Sequence, residues 1–119
     1  MFQVISNDFK ILAKFKLFVE LIDRTLENVP RKDKYYKDKV RSVCMQTLEL
    51  IITLSFLEYK DSNIELKLKT NISLLDFLVD RLYSLEYISE KRVYELGRSL
   101  TEILKMASGL AKSKDENKV

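Results

Sequence analysis

The sequence predicts an all-α protein, folded as an up-down-up-down antiparallel four-helix bundle. Three observations carry that expectation. Glycine occurs twice and proline once in 119 residues, fewer than sheets and their turns ordinarily need. Apolar residues recur at alternating spacings of three and four in four separate segments, which is the stripe of a helix packed along a partner. The links between these segments are short, so neighbours run antiparallel.

The first helix is placed at 5–28 by Leu12, Phe15, Val19, Ile22, Leu26 and Val29. Pro30 follows and can stop a helix or open the next. The second, 34–57, carries Tyr36, Val40, Val43, Thr47, Leu50, Leu54 and Leu57. The third, 63–86, carries Ile64, Leu68, Leu75, Leu78, Leu82 and Leu85, with Asn71 as a polar break. Ser62 and Glu65 have the spacing of a capping box at its start. The fourth, 90–111, carries Val93, Leu96, Leu100, Ile103, Ala107 and Leu110. Ser89 is placed to cap it, and Glu90 suits the positive end of its dipole. Gly109 and the charged residues behind it are expected to end it. One domain therefore covers 1–112, and 113–119 forms a charged tail expected to be disordered. Each helix is roughly 33 Å long at 1.5 Å per residue.

Two helices hold more apolar residues than one stripe uses. The first adds Ile11, Leu17, Phe18 and Leu21; the second adds Met45, Leu48, Ile51, Ile52 and Phe56. Either the core is thick and a few apolar residues are exposed, or a second face is buried against another copy of the chain. The concentration on two helices favours the second alternative, with Phe18, Leu21, Ile52 and Phe56 in the interface.

The composition removes most enzyme chemistry. There is no histidine, and Cys44 is the lone cysteine, so the commonest general base is missing and a zinc site lacks its usual ligands. Cys44 lies between Val43 and Met45 and reads as a packed core thiol. No phosphate-binding glycine motif occurs. Gly97, inside the fourth helix, is expected to allow close helix approach. Asp76 and Asp80 are expected to be solvated or paired, Asp80 with Arg81 and Ser84. The expectation is a non-enzyme with no cofactor and no metal, in the reducing cytoplasm. The longest uncharged apolar run, Leu50 to Leu57, is far short of the roughly 20 residues a membrane span needs.

Charge is uneven along the chain. Residues 29–41, VPRKDKYYKDKVR, hold six of the 21 basic residues and a net charge of +4, while the whole chain carries +3. Arg31, Lys32, Lys34, Lys37 and Arg41 are the candidate contacts to an acidic partner, with Tyr35 at the edge of the face, where it can stack on a base. The bland alternative is a solvated helix start. Lys10, Lys14 and Lys16 form a second basic patch, and Lys67 and Lys69 a third. No motif here reads base edges, so nucleic-acid binding is expected to be weakly sequence-specific.

Four stretches resemble one known family. They are the proline-basic turn VPRKDKYYKDKVR; the aliphatic helix SVCMQTLELIITLSF with its midway acid; the leucine-rich run ISLLDFLVDRLYSLEYIS with Arg81 in the arginine position; and EILKMASGLAK at Glu102–Lys112. Over residues 10–112 the chain is similar to the accessory variability determinant of diversity-generating retroelements. That family sits in a wider group of four-helix bundles that includes proteins encoded in intervening sequences of large ribosomal RNA genes. Leu110 stands where the family usually has tryptophan, Ser108 replaces the first of two glycines, and Lys105 keeps the charge of an arginine. The resemblance implies a homopentamer with a basic surface that binds RNA or DNA and a reverse transcriptase. Such a protein supports mutagenic reverse transcription without being the polymerase. The alternative is a structural or interaction bundle of the ribosomal-intervening-sequence type with no retroelement partner.

Overall fold

The computed structural model describes residues 10–114, which form four helices in a ring. α1 is Lys10–Leu26, α2 is Lys34–Phe56, α3 is Ser62–Ser84 and α4 is Glu90–Lys112. A single 3-10 turn, Arg31–Asp33, leads into α2. The backbone of each helix runs close to its two neighbours in the ring; across the diagonal α2 and α4 also approach, while the α1 and α3 backbones stay further apart. This is the four-helix bundle the spacing predicts, with helix ends within about two residues wherever they can be compared. The expected start of the first helix at 5–9, and 115–119 of the tail, lie outside the described residues.

The core draws on all four helices. Phe15, Phe18, Ile22 and Leu26 share one core cluster with Ile51, Leu54, Leu68, Leu75, Leu82, Leu96, Leu100 and Ile103, all essentially without exposure. Burial of each such side chain stabilises the fold by roughly 1.5–3 kcal/mol. The Phe15 and Phe18 rings stack at 5.9 Å. Thr25, Thr47 and Ser55 are also buried, and each hydroxyl donates to the carbonyl four residues back, at 2.9, 2.6 and 2.8 Å. That local bond removes the cost of burying the hydroxyl.

The rotation of the helices differs from the expected stripes. Phe18 is 1% exposed and belongs to the core, not to a surface between copies. The series Ile11–Phe15–Phe18–Ile22–Thr25–Val29 is buried as fully as the one read from the sequence. Because α1 packs against both α2 and α4, its buried arc is wider than one seam. Ile51 is likewise core, while Leu50 beside it is half-buried. In α3 the inner register runs Leu68–Ile72–Leu75–Val79–Leu82, so Asn71 is not a polar break in the core.

Helix ends show two further corrections. Asp61, not Ser62, caps α3, accepting from the backbone N–H of Asn63 at 3.0 Å and of Ile64 at 3.2 Å. Glu65 then pairs with Lys69 one turn on, at 3.0 Å. α4 passes through Gly109 and ends at Lys112, with Ser113 as its C-cap. Lys114 is tied back to the bundle, its ammonium donating to the Ser55 carbonyl at 3.3 Å. Ser89 caps α4 as expected, accepting from the Arg92 N–H at 3.1 Å. Gly97 is not needed for close approach: a Cβ there stands 3.9 Å from Asp76 Oδ1, an ordinary contact.

Candidate nucleic-acid interface

The basic stretch forms the corner between α1 and α2. Pro30 holds an extended backbone (φ −73°, ψ 163°), and the Asp33 N–H closes the turn onto its carbonyl at 3.0 Å. Lacking an N–H, proline suits this entry to a helix. The turn is braced from the far side of the bundle. The Tyr87 hydroxyl donates to the Asp33 carboxylate. The Arg81 Nε donates to the Tyr36 hydroxyl at 3.3 Å, with its guanidinium over the Tyr36 ring at 5.7 Å. Tyr87 is set by the end of α3, where Glu86 adopts a left-handed φ of 68°. The Glu86 N–H bonds the Tyr83 carbonyl at 2.9 Å and the Tyr87 N–H bonds that of Leu82 at 3.0 Å, the paired bonds of a Schellman stop.

On this braced corner Arg31, Lys32, Lys34 and Arg41 are exposed and Lys37 is half-exposed. Lys34 reaches Asp38 at 3.7 Å, and Arg41 reaches Asp23 of α1 at 4.0 Å. Such solvent-facing pairs hold weakly, at about 0–1 kcal/mol. No carboxylate among the described residues stands within 4.0 Å of Arg31, Lys32 or Lys37. Tyr35 is 70% exposed, and its ring meets the edge of Tyr36 at 5.6 Å.

The other two basic patches are elsewhere. Lys10, Lys14 and Lys16 open α1, and Lys67 and Lys69 lie in the first turns of α3, so both patches stand at the opposite end of the bundle. Lys16 stands ten residues before the corner end of α1 and Lys69 fifteen before that of α3, about 15 and 22 Å at 1.5 Å per residue. α1 and α3 are diagonal, so these two patches are also split from each other. Lys14 is bound to Glu102 at 2.7 Å, and that hydrogen bond, with the Lys14 charge, holds the Glu102 carboxyl below the usual range. Lys69 is committed to Glu65. Within one chain, the three patches do not form one surface.

Two arginines escaped the sequence reading, and a third has a different partner from the one expected. Arg81 joins Tyr36 instead of Asp80, while Ser84 donates to the Asp80 backbone carbonyl at 3.1 Å. Arg24 and Arg92 both line a cavity of about 320 Å³ beside the corner, with Asn28, Tyr87 and Ser89. Their helices are far apart in sequence, so no spacing within one segment could signal the pairing. Asp76 lines a different groove, between α3 and α4, where burial and then Asp80 raise its carboxyl above the usual range. Cys44 is buried, and burial, with Asp23 second, pushes its thiol up to about 12.

No group of three or more histidine, cysteine or acidic residues able to hold a metal occurs among the described residues. None of the helices described is long and apolar enough to cross a membrane. Comparison with models of known protein families, with curated proteins and with solved structures finds no match to this chain.

Proposed function

We propose that this chain is a nucleic-acid-binding accessory protein of the kind found in diversity-generating retroelements. It carries no catalysis of its own. It contacts RNA or DNA, and a reverse transcriptase working on it, through the corner at Arg31–Arg41. The observation that supports this is the corner itself: Arg31, Lys32 and Lys37 project without carboxylate partners from a turn fixed by Tyr87 and Arg81. Phosphates are the fitting target, since lysine and arginine release condensed counterions on binding them. The exposed Tyr35 ring adds a stacking platform.

The test is a titration with single-stranded RNA and DNA at several salt concentrations. Wild type binds with a steep dependence on salt and little dependence on sequence. Lys37→Glu with Arg41→Glu weakens binding to all sequences alike, because phosphate contacts carry no sequence information. Equal binding by the two proteins, or none by wild type at low salt, leaves the structural-bundle alternative standing.

The same reading assembles several copies, five by the family resemblance. Its surface is revised from the sequence expectation: Phe18 is core, Leu21 and Ile52 are half-buried, and Phe56 is 60% exposed. Leu17 at 61% and Met45 at 60% join it. Exposed large apolar residues also occur on α3 and α4, among them Phe77 and Tyr94, so the excess is not confined to α1 and α2. Light scattering after size exclusion is expected to give several times 14.0 kDa. Met45→Glu is expected to reduce that mass and keep the helical signal, whereas Phe18→Glu unfolds the chain. A monodisperse wild-type monomer at micromolar concentration refutes the assembly.

A further inference from the structure

We infer that the cavity between the end of α1 and the start of α4 is a seat for a phosphate ester, with Arg24 and Arg92 holding the phosphate. Three observations independent of the Arg31–Arg41 corner lead there. Exposed Arg24 and half-buried Arg92 both line one cavity of about 320 Å³, at the small end of the roughly 300–1,000 Å³ typical of ligand sites. Neither guanidinium has a carboxylate within 4.0 Å among the described residues. The Arg92 Nε is buried with no acceptor among the described residues, a costly state for a charged donor.

The arginines are positioned as well as uncompensated. One terminal nitrogen of Arg92 donates to the Thr25 hydroxyl at 3.3 Å, and that hydroxyl donates in turn to the Leu21 carbonyl at 2.9 Å. Arg24 is anchored through its Nε to the Glu20 carbonyl at 3.4 Å, which leaves its two terminal nitrogens as donors. Two such forks match the oxygens of a phosphate better than a single lysine does. Ser89 brings the start of α4 to the same wall, where the helix dipole favours an anion. Tyr87 and Ile88 supply an aromatic and an apolar wall for the esterified group, and the Asn28 amide a neutral polar contact.

The ester has two sources, the 5′ end of a nucleic-acid strand or a free mononucleotide, and only the first rests on the nucleic-acid reading above. The test follows the arginine Nε–H and the Ser89 and Arg92 backbone amide resonances of the full chain. A nucleoside monophosphate is expected to shift them saturably, and the unphosphorylated nucleoside to leave them in place. Arg24→Gln is expected to weaken that binding about tenfold, the scale of one charge-assisted hydrogen bond. Arg92→Lys, which keeps the charge but loses the fork, is the second variant and weakens it too. A 5′-phosphorylated strand that binds tighter than its 5′-hydroxyl twin assigns the seat to strand ends; equal binding, with the monophosphate still saturating, assigns it to free esters. The proposal is overturned if no monophosphate shift saturates, or if the nucleoside alone produces the same shifts. Binding of the 5′-hydroxyl strand depends on Lys37 and Arg41, so loss of that binding counts against the nucleic-acid reading and leaves the seat untouched.

Discussion

The two ends of the bundle are both rich in basic residues, yet they use them differently. At the Arg31–Arg41 end, tyrosines and arginines from distant helices hold the turn: Tyr87 on Asp33, Arg81 on Tyr36, Arg92 on Thr25. The cations of the turn itself are then left to face outward. At the other end two lysines serve the fold, Lys14 on Glu102 and Lys69 on Glu65, while Lys10, Lys16 and Lys67 have no carboxylate within 4.0 Å among the described residues. The contrast teaches that a count of positive charge does not measure what is available to a partner. What matters is whether a carboxylate already stands within reach.

The largest effects lie in the shared core and test whether the two ends rest on it equally. Leu82→Ala beneath the braced corner and Leu68→Ala beneath the opposite end, both fully buried, are each expected to cost about 2–5 kcal/mol. Urea denaturation measures both. A much smaller loss at one site would show that end to be loosely packed, and the contrast in charge would then have a packing cause.

The next effect concerns the charges directly. Lys32→Glu with Lys37→Glu, neither of which has a carboxylate within 4.0 Å among the described residues, is expected to flatten the salt dependence of single-strand binding by about 1.4, roughly 0.7 for each phosphate no longer neutralised. Lys14→Glu with Lys69→Glu at the other end is expected to change it far less. A comparable change from both pairs would erase the distinction between paired and unpaired cations.

Smaller still are two backbone changes. Glu86 adopts a left-handed conformation at the end of α3, which costs a non-glycine residue about 1–2 kcal/mol. Glu86→Gly is therefore expected to raise stability by about 1 kcal/mol, partly offset by the greater freedom of glycine in the unfolded chain. Gly97→Ala in α4 has room for its methyl group and is expected to add up to about 1 kcal/mol through helix propensity. Thermal unfolding reads both; a loss in the second would mean that the α3–α4 groove cannot accept the extra carbon.

The mildest test distinguishes the ends by pH. The hydrogen bond from Tyr87 to Asp33, followed by desolvation, raises the Tyr87 pKa above its usual 10.0. The stabilisation is complete below that ordinary value and is lost as pH rises through the folded one. Tyr87→Phe is expected to flatten the alkaline side of the stability profile. At the other end Lys14 lowers the Glu102 pKa below its usual 4.5. That contribution is present above the ordinary value and is lost as pH falls through the folded one. Lys14→Gln is expected to flatten the acid side. If each variant alters the opposite limb, the two contacts have been assigned to the wrong ends.

The sequence by itself determined the number, extent and antiparallel order of the helices. Four runs of three-four spacing, interrupted at Pro30, Ser62 and Ser89, leave little freedom in where helices begin and stop. It also located the basic corner, because that charge is contiguous along the chain. Tertiary structure decided how each helix is rotated and which charges are occupied. Spacing fixes a helical face only to within a neighbouring residue, so Phe18 or Val19, and Ile51 or Leu50, could each have faced inward. The buried arc depends on how many helices surround it, and α1 touches two. The pairing of Arg92 with Thr25, or of Tyr87 with Asp33, joins residues 67 and 54 positions apart. No local period encodes such a contact, since it exists only once the helices are packed and their ends brought side by side.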